Sequence, residues 1–142
     1  MTHTIYPCLW FHGQAQEAAE FYCSIFKNSK INSQNSMVTI FELNNTQFMA
    51  LNGGPQYKFS PANSYVVTCD TQEEIDHYWE KLGEGGIYNR CGWLDDKFGV
   101  SWQIVPAILS ELMSNPATAN RVTEAFMQMT KFNIQELLNA AK

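Results

Sequence analysis

At 142 residues the chain has the length of one domain, and its 45% hydrophobic, 13% aromatic and 16% charged content excludes disorder as the dominant state. The net charge of −5, with nine scattered Lys and Arg residues, leaves no basic stripe for phosphates. Nucleic acid and anionic membrane surfaces are thereby excluded as partners, while neutral or cationic ligands stay compatible.

In chain order, Ile5 to Phe11 is an apolar and aromatic run that predicts a buried strand, broken at Gly13. It is too short for a bilayer span or for a signal core with a cleavage site, and Met1-Thr2-His3-Thr4 carries no basic region. Cys8, Cys23, Cys69 and Cys91 show no CxxC spacing and suit a reducing compartment, so a cytoplasmic location is expected. Ala15, Ala18, Ala19, Tyr22, Ile25 and Phe26 recur at helical spacing, which predicts an amphipathic helix ending near Asn28. Met37 to Phe41 and Gln47 to Leu51 predict two strands around Asn44-Asn45, a turn dipeptide that tolerates positive φ. A loop runs from Asn52-Gly53-Gly54-Pro55 to Pro61.

The pattern then repeats. Tyr65 to Cys69 predicts a strand, and Thr71-Gln72-Glu73-Glu74 matches a capping box that opens a helix buried along Ile75, Tyr78, Trp79 and Leu82. Gly83 and Gly85 lie where that helix should stop. Cys91 to Leu94 and Val100 to Val105 predict strands joined by the polar turn Asp95-Asp96-Lys97-Phe98-Gly99, where the acidic pair reads as solvated. Asn115-Pro116 marks a helix start, and the stripes Val122, Ala125, Phe126, Met129 and Ile134, Leu137, Leu138, Ala141 predict two amphipathic helices. These must cover either their own core or a second subunit.

Pro7-Cys8-Leu9-Trp10-Phe11, Ala18 with Phe21-Tyr22, Phe48 to Pro55, Thr71 to Asp76, Cys91-Gly92-Trp93 and Asp96 to Pro106 together resemble the PhnB-like proteins. These are labelled 3-demethylubiquinone methyltransferase-like and belong to the vicinal oxygen chelate superfamily, with glyoxalases, bleomycin-resistance proteins and dioxygenases. The resemblance spans Ile5 to about Ala141 and departs at a shortened region around Lys30 to Ser36. It implies an α+β fold of two βαβββ modules whose curled mixed sheets surround a cavity, completed by a second subunit. One domain is expected, with module one at about 4–55, module two at about 62–106 and C-terminal helices at about 107–142.

The resemblance also maps the superfamily's metal-ligand positions onto Pro7, Phe48, Ser64 and Gln103, a set too poor in anionic or imidazole donors to hold a divalent ion. His3, His12 and His77 share no ligand spacing, so no metal and no cofactor is expected. The glycine-rich turn that a methyltransferase places after its first strand is missing, since only Gly13 follows Phe11. Cys91 has no histidine placed by sequence to lower its pKa and reads as a packed thiol.

Strand alternation puts Ser101, Gln103 and Val105 on one face, and groups Phe48, Ala50 and Asn52, as it does Pro7, Leu9 and Phe11. If the metal-equivalent positions face the cavity as in relatives, it is apolar with a few amides and hydroxyls, as ligand pockets are. Phe48, Asn52, Ser64, Cys91, Trp93, Ser101 and Gln103 are the expected ligand-binding residues, while Trp10, Trp79 and Trp102 read as core. The expected function is metal-independent binding of a small apolar or aromatic molecule by a homodimer. The alternatives are an enzyme (a lyase or isomerase using Gln103, Ser64 or Cys91) and a dimeric interaction protein with a vestigial cavity.

Overall fold

The computed structural model describes residues 3–142; Met1 and Thr2, part of the amino-terminal stretch read above, lie outside them. The chain forms two compact units, one ending at Phe59 and one running from Ser60 to Lys142. No helix among the described residues is long and apolar enough to cross a membrane.

The first unit runs β1 (Cys8–Phe11), α1 (Ala15–Ile25), β2 (Lys30–Gln34), β3 (Val38–Leu43) and β4 (Thr46–Asn52). Its sheet order is β1-β4-β3-β2, with β1 parallel to β4 and the other pairs antiparallel. Asn44 and Asn45 both have positive φ, 49° and 66°, which the tight β3–β4 hairpin requires at both central residues. On α1, Ala15, Ala18, Ala19, Tyr22 and Ile25 are buried. The three alanines let the helix approach a layer of Leu9, Phe11, Phe41, Leu43, Phe48 and Ala50, all buried. The Tyr22 and Phe41 rings stack at 6.2 Å, and those of Phe41 and Phe48 at 5.4 Å.

The second unit repeats the order with β5 (Ser64–Cys69), α2 (Gln72–Gly83), β6 (Ile87–Tyr88), β7 (Trp93–Asp95) and β8 (Ser101–Pro106). Its sheet is ordered β5-β8-β7-β6, with β5 parallel to β8. The capping box at Thr71 is formed with Glu74, and α2 stops at Gly83. Ile75, Trp79 and Leu82 bury against the sheet side that carries Leu94, Trp102 and Ile104. The short strands β2 and β6 are additions to the sequence reading: each is polar or only two residues long, too weak a pattern to see without its neighbour.

Three carboxy-terminal helices follow, not two: α3 (Ile108–Ser114), α4 (Ala119–Phe126) and α5 (Ile134–Ala140). Asn115 closes α3 and caps a turn through Ala117 N–H at 3.0 Å, so α4 starts after Thr118 and not at Pro116. The tail covers the second unit itself. The carbonyls of Met129 and Thr130 accept from Cys91 N and Gly92 N, each at 2.8 Å. Gln72 clamps the same segment, donating to Phe132 O at 2.9 Å and accepting from Ile134 N at 2.8 Å. The Lys131–Asp76 ion pair, at 2.8 Å, holds the Asp76 carboxyl below its ordinary range, helped by the Gln72 bond. Val122, Met129, Phe132 and Leu137 are buried by this packing.

Candidate functional site

β7 and β8 pair with Trp93 opposite Gln103 and Asp95 opposite Ser101. β8 and β5 pair with Gln103 opposite Val66 and Ser101 opposite Ser64. Because Leu94, Trp102 and Ile104 point towards α2, alternation sends these six residues to the opposite, open face, where Val66 is exposed, Ser64, Trp93, Asp95 and Gln103 are half-buried and Ser101 is buried. They form two rows across three strands: Asp95, Ser101, Ser64 and Trp93, Gln103, Val66.

The rows differ in chemistry. Gln103 Nε2 donates to Ser64 Oγ at 2.9 Å, which fixes the amide and leaves Oε1 as an acceptor. Ser101 Oγ donates to Asp95 Oδ1 at 2.7 Å. Trp93 is half-buried and Val66 is 58% exposed, so an indole and an aliphatic side chain flank the polar groups. Behind them Asp96 is buried, which corrects its reading as a solvated turn residue. Its Oδ1 accepts from Phe98 N at 2.8 Å and Val100 N at 3.0 Å, and its Oδ2 from Trp102 Nε1 at 2.9 Å. A carboxylate with three donors closes the β7–β8 turn and so sets the register of the open face.

The expected site residues divide. Ser64, Trp93, Ser101 and Gln103 lie together on this face. Cys91 does not join them: with φ of 59° it turns its thiol to Phe126 O at 3.6 Å and Met127 Sδ at 3.9 Å, in the seam with the tail. Phe48 and Asn52 are corrected to the packed face of the first sheet. Phe48 is 6% exposed against Phe41, and Asn52 Oδ1 accepts from Ala15 N at 2.9 Å, capping the start of α1. The open face of that sheet instead carries Cys8, Trp10, Gln47, Met49 and Leu51, with Trp10 Nε1 donating to Gly54 O at 2.9 Å. The parity that α1 buries is that of Leu9 and Phe11 with Phe48 and Ala50.

By register Met49, opposite Cys8, is the first-unit counterpart of Gln103, opposite Val66. Among the described residues no three His, Cys, Asp or Glu side chains converge. Ser64 and Gln103 are neutral and bonded to each other, and the Asp95 carboxylate is bonded to Ser101, a donor set that does not fit a divalent ion. Ser64, Ser101 and Cys91 are bonded to Gln103, to Asp95, and to Phe126 O and Met127 Sδ, respectively, and the described histidines are all exposed.

Residues 3–105 match the model of the 3-demethylubiquinone-9 3-methyltransferase family. Among solved structures, the PhnB protein of Bacillus cereus is 35% identical, with a TM-score of 0.69 over 74% of this chain and 100% of that one. FosX, a fosfomycin resistance protein of Listeria monocytogenes solved with Mn(II) and sulfate, is 14% identical, with a TM-score of 0.60 over 80% of this chain and 97% of that one. A glyoxalase-related enzyme of Fulvimarina pelagi is 12% identical, with a TM-score of 0.55 over 76% of this chain and 91% of that one. At those two identities the likeness shows the fold alone. A search of the curated proteins found no match. With two β-α-β-β-β units, a family match over both of them and a 35% identical PhnB structure, the chain belongs to the 3-demethylubiquinone-9 3-methyltransferase family, the PhnB-like branch of the vicinal oxygen chelate superfamily.

Proposed function

We propose that the protein binds a small, largely apolar or aromatic molecule on the open face of its second sheet, without a metal ion. The observation that carries this is the mixed face itself: Trp93 and Val66 beside a hydrogen-bonded Gln103–Ser64 pair and a free Gln103 Oε1. Apolar side chains set beside fixed polar groups are the mixture from which ligand sites are made. The family's name points to methyl transfer, but the residues here do not fit S-adenosylmethionine. The loop into α1 is His12-Gly13-Gln14, the Ala15 N–H is taken by Asn52, and the start of α2 is closed by its own capping box.

A homodimer accompanies this reading. The tail stripes need no second copy, since they pack on their own unit, but Val66 and Ile87, 58% and 61% exposed, leave apolar surface for one. A covering interface should bury more than about 1,000 Å² in total. Four free thiols fit a reducing cytoplasm. The test is affinity measured on the protein and on Trp93→Ala and Gln103→Ala, using any ligand found by native mass analysis of the protein from its host. Each substitution should weaken binding by about 1–3 kcal/mol. Unchanged affinity in both moves the site elsewhere, and a monomer in sedimentation at micromolar concentration removes the dimer.

A further inference from the structure

Asp95 is a carboxylate that the fold uses only in part. Oδ1 accepts from Ser101 at 2.7 Å, and among the described residues no donor is bonded to Oδ2. Neither the Lys30–Glu42 nor the Lys131–Asp76 ion pair involves Asp95. Lys97, two residues on, is turned to the Phe98 ring, with Nζ 5.5 Å from its centroid. The residues paired with Asp95 across the sheet, Ile87 and Ser101, are neutral, as are Trp93, Gln103 and Ser64 on the same face.

Asp95 is only partly exposed, and its second oxygen is left as an acceptor for a ligand's donor. Trp93 is two residues along β7, so its indole projects from the same face about 7 Å away. That spacing matches an aromatic or apolar group joined to a cationic head by two or three bonds. The indole adds attraction for a cation passing over its ring. The chain's net charge of −5 favours the approach of a cation and opposes that of an anion.

We infer that the ligand is a cationic amine, with its ammonium group on Asp95 Oδ2 and its apolar body against Trp93 and Val66. This rests on the binding face proposed above and names the chemical class that the face selects. The competing use of Asp95 is purely structural, as the acceptor that ties Ser101 of β8 to β7.

Three probes of one shape separate these: 2-phenylethylammonium, 2-phenylethanol and 3-phenylpropionate, titrated calorimetrically into the full-length protein and into Asp95→Asn. The expected order on the unmodified protein is ammonium, then alcohol, then carboxylate, with at least a tenfold gap between the first two. Asp95→Asn should reduce that gap to about twofold, chiefly through weaker binding of the ammonium probe. If the alcohol binds the unmodified protein as tightly as the ammonium, the amine inference falls and the binding face stands. The amine inference falls in the same way if the full gap survives in Asp95→Asn. If no probe binds at millimolar concentration, the inference and the binding face fall together. The comparison on the unmodified protein decides the matter even if Asp95→Asn folds poorly.

Discussion

Gln72→Ala should release the carboxy-terminal segment from the second unit. The Gln72 amide donates to Phe132 O at 2.9 Å and accepts from Ile134 N at 2.8 Å, both part-buried. Each bond is worth about 0.5–1.5 kcal/mol net, and each orphaned backbone group adds a desolvation cost of its own. Alanine recovers a few tenths of a kcal/mol as a better helix former at the start of α2. The balance is a loss of about 2–4 kcal/mol. Phe132 packs on Gly92, where an added Cβ would sit 2.6 Å from its ring, so loosening the segment should also free the entry to β7. Urea denaturation reads the stability, and amide exchange at Ile134, Cys91 and Gly92 reads the release. A loss below about 0.5 kcal/mol, well under one net hydrogen bond, with Ile134 still protected, would refute the clamp.

Asp96→Ala strands three donors, Phe98 N, Val100 N and Trp102 Nε1, and should cost about 3–5 kcal/mol in urea denaturation, against less than 1 kcal/mol if the turn closes without it. Burial, then Glu74 and Asp70, pushes the Cys69 thiol up to about 12. Iodoacetamide at neutral pH should therefore label exposed Cys8 in the native protein and reach Cys69 only on unfolding; equal rates would contradict the packing. The Asp76 carboxyl is lowered by its bonds to Lys131 and Gln72, so the pair stabilises the fold above the ordinary carboxyl range and loses that contribution as pH falls through the depressed value. Lys131→Ala should flatten this acid limb while costing under about 1 kcal/mol at pH 7, because both groups are about half exposed. An unchanged acid limb would remove the pair from the balance.

The second unit is more legible in the sequence than the first because its two faces differ sharply in polarity. Ser101 and Gln103 alternate with Trp102 and Ile104, so parity alone separates the open face from the packed one. In β4 both parities are largely apolar, Phe48 and Ala50 against Met49 and Leu51, so alternation alone does not separate them. Asp95 and Asp96 illustrate a second limit. As a charged pair beside Lys97 they read as turn, yet one packs behind the sheet and the other points to its open face, which only the register reveals. The engagement of Cys91 by the tail is invisible in the sequence for a similar reason, since it depends on backbone bonds to residues almost forty positions away.

Ligand binding without metal on the open face of the second sheet can be read residue by residue. A ligand recovered from the native protein is titrated into chelator-treated, isotope-labelled protein while the side-chain N–H resonances are followed. The Trp93 indole and Gln103 amide signals should move and saturate together in the presence of chelator, with the buried Trp102 indole unmoved. Binding that disappears with chelation and returns with one equivalent of a transition metal, or shifts confined to the first unit, would contradict metal-free binding at this face.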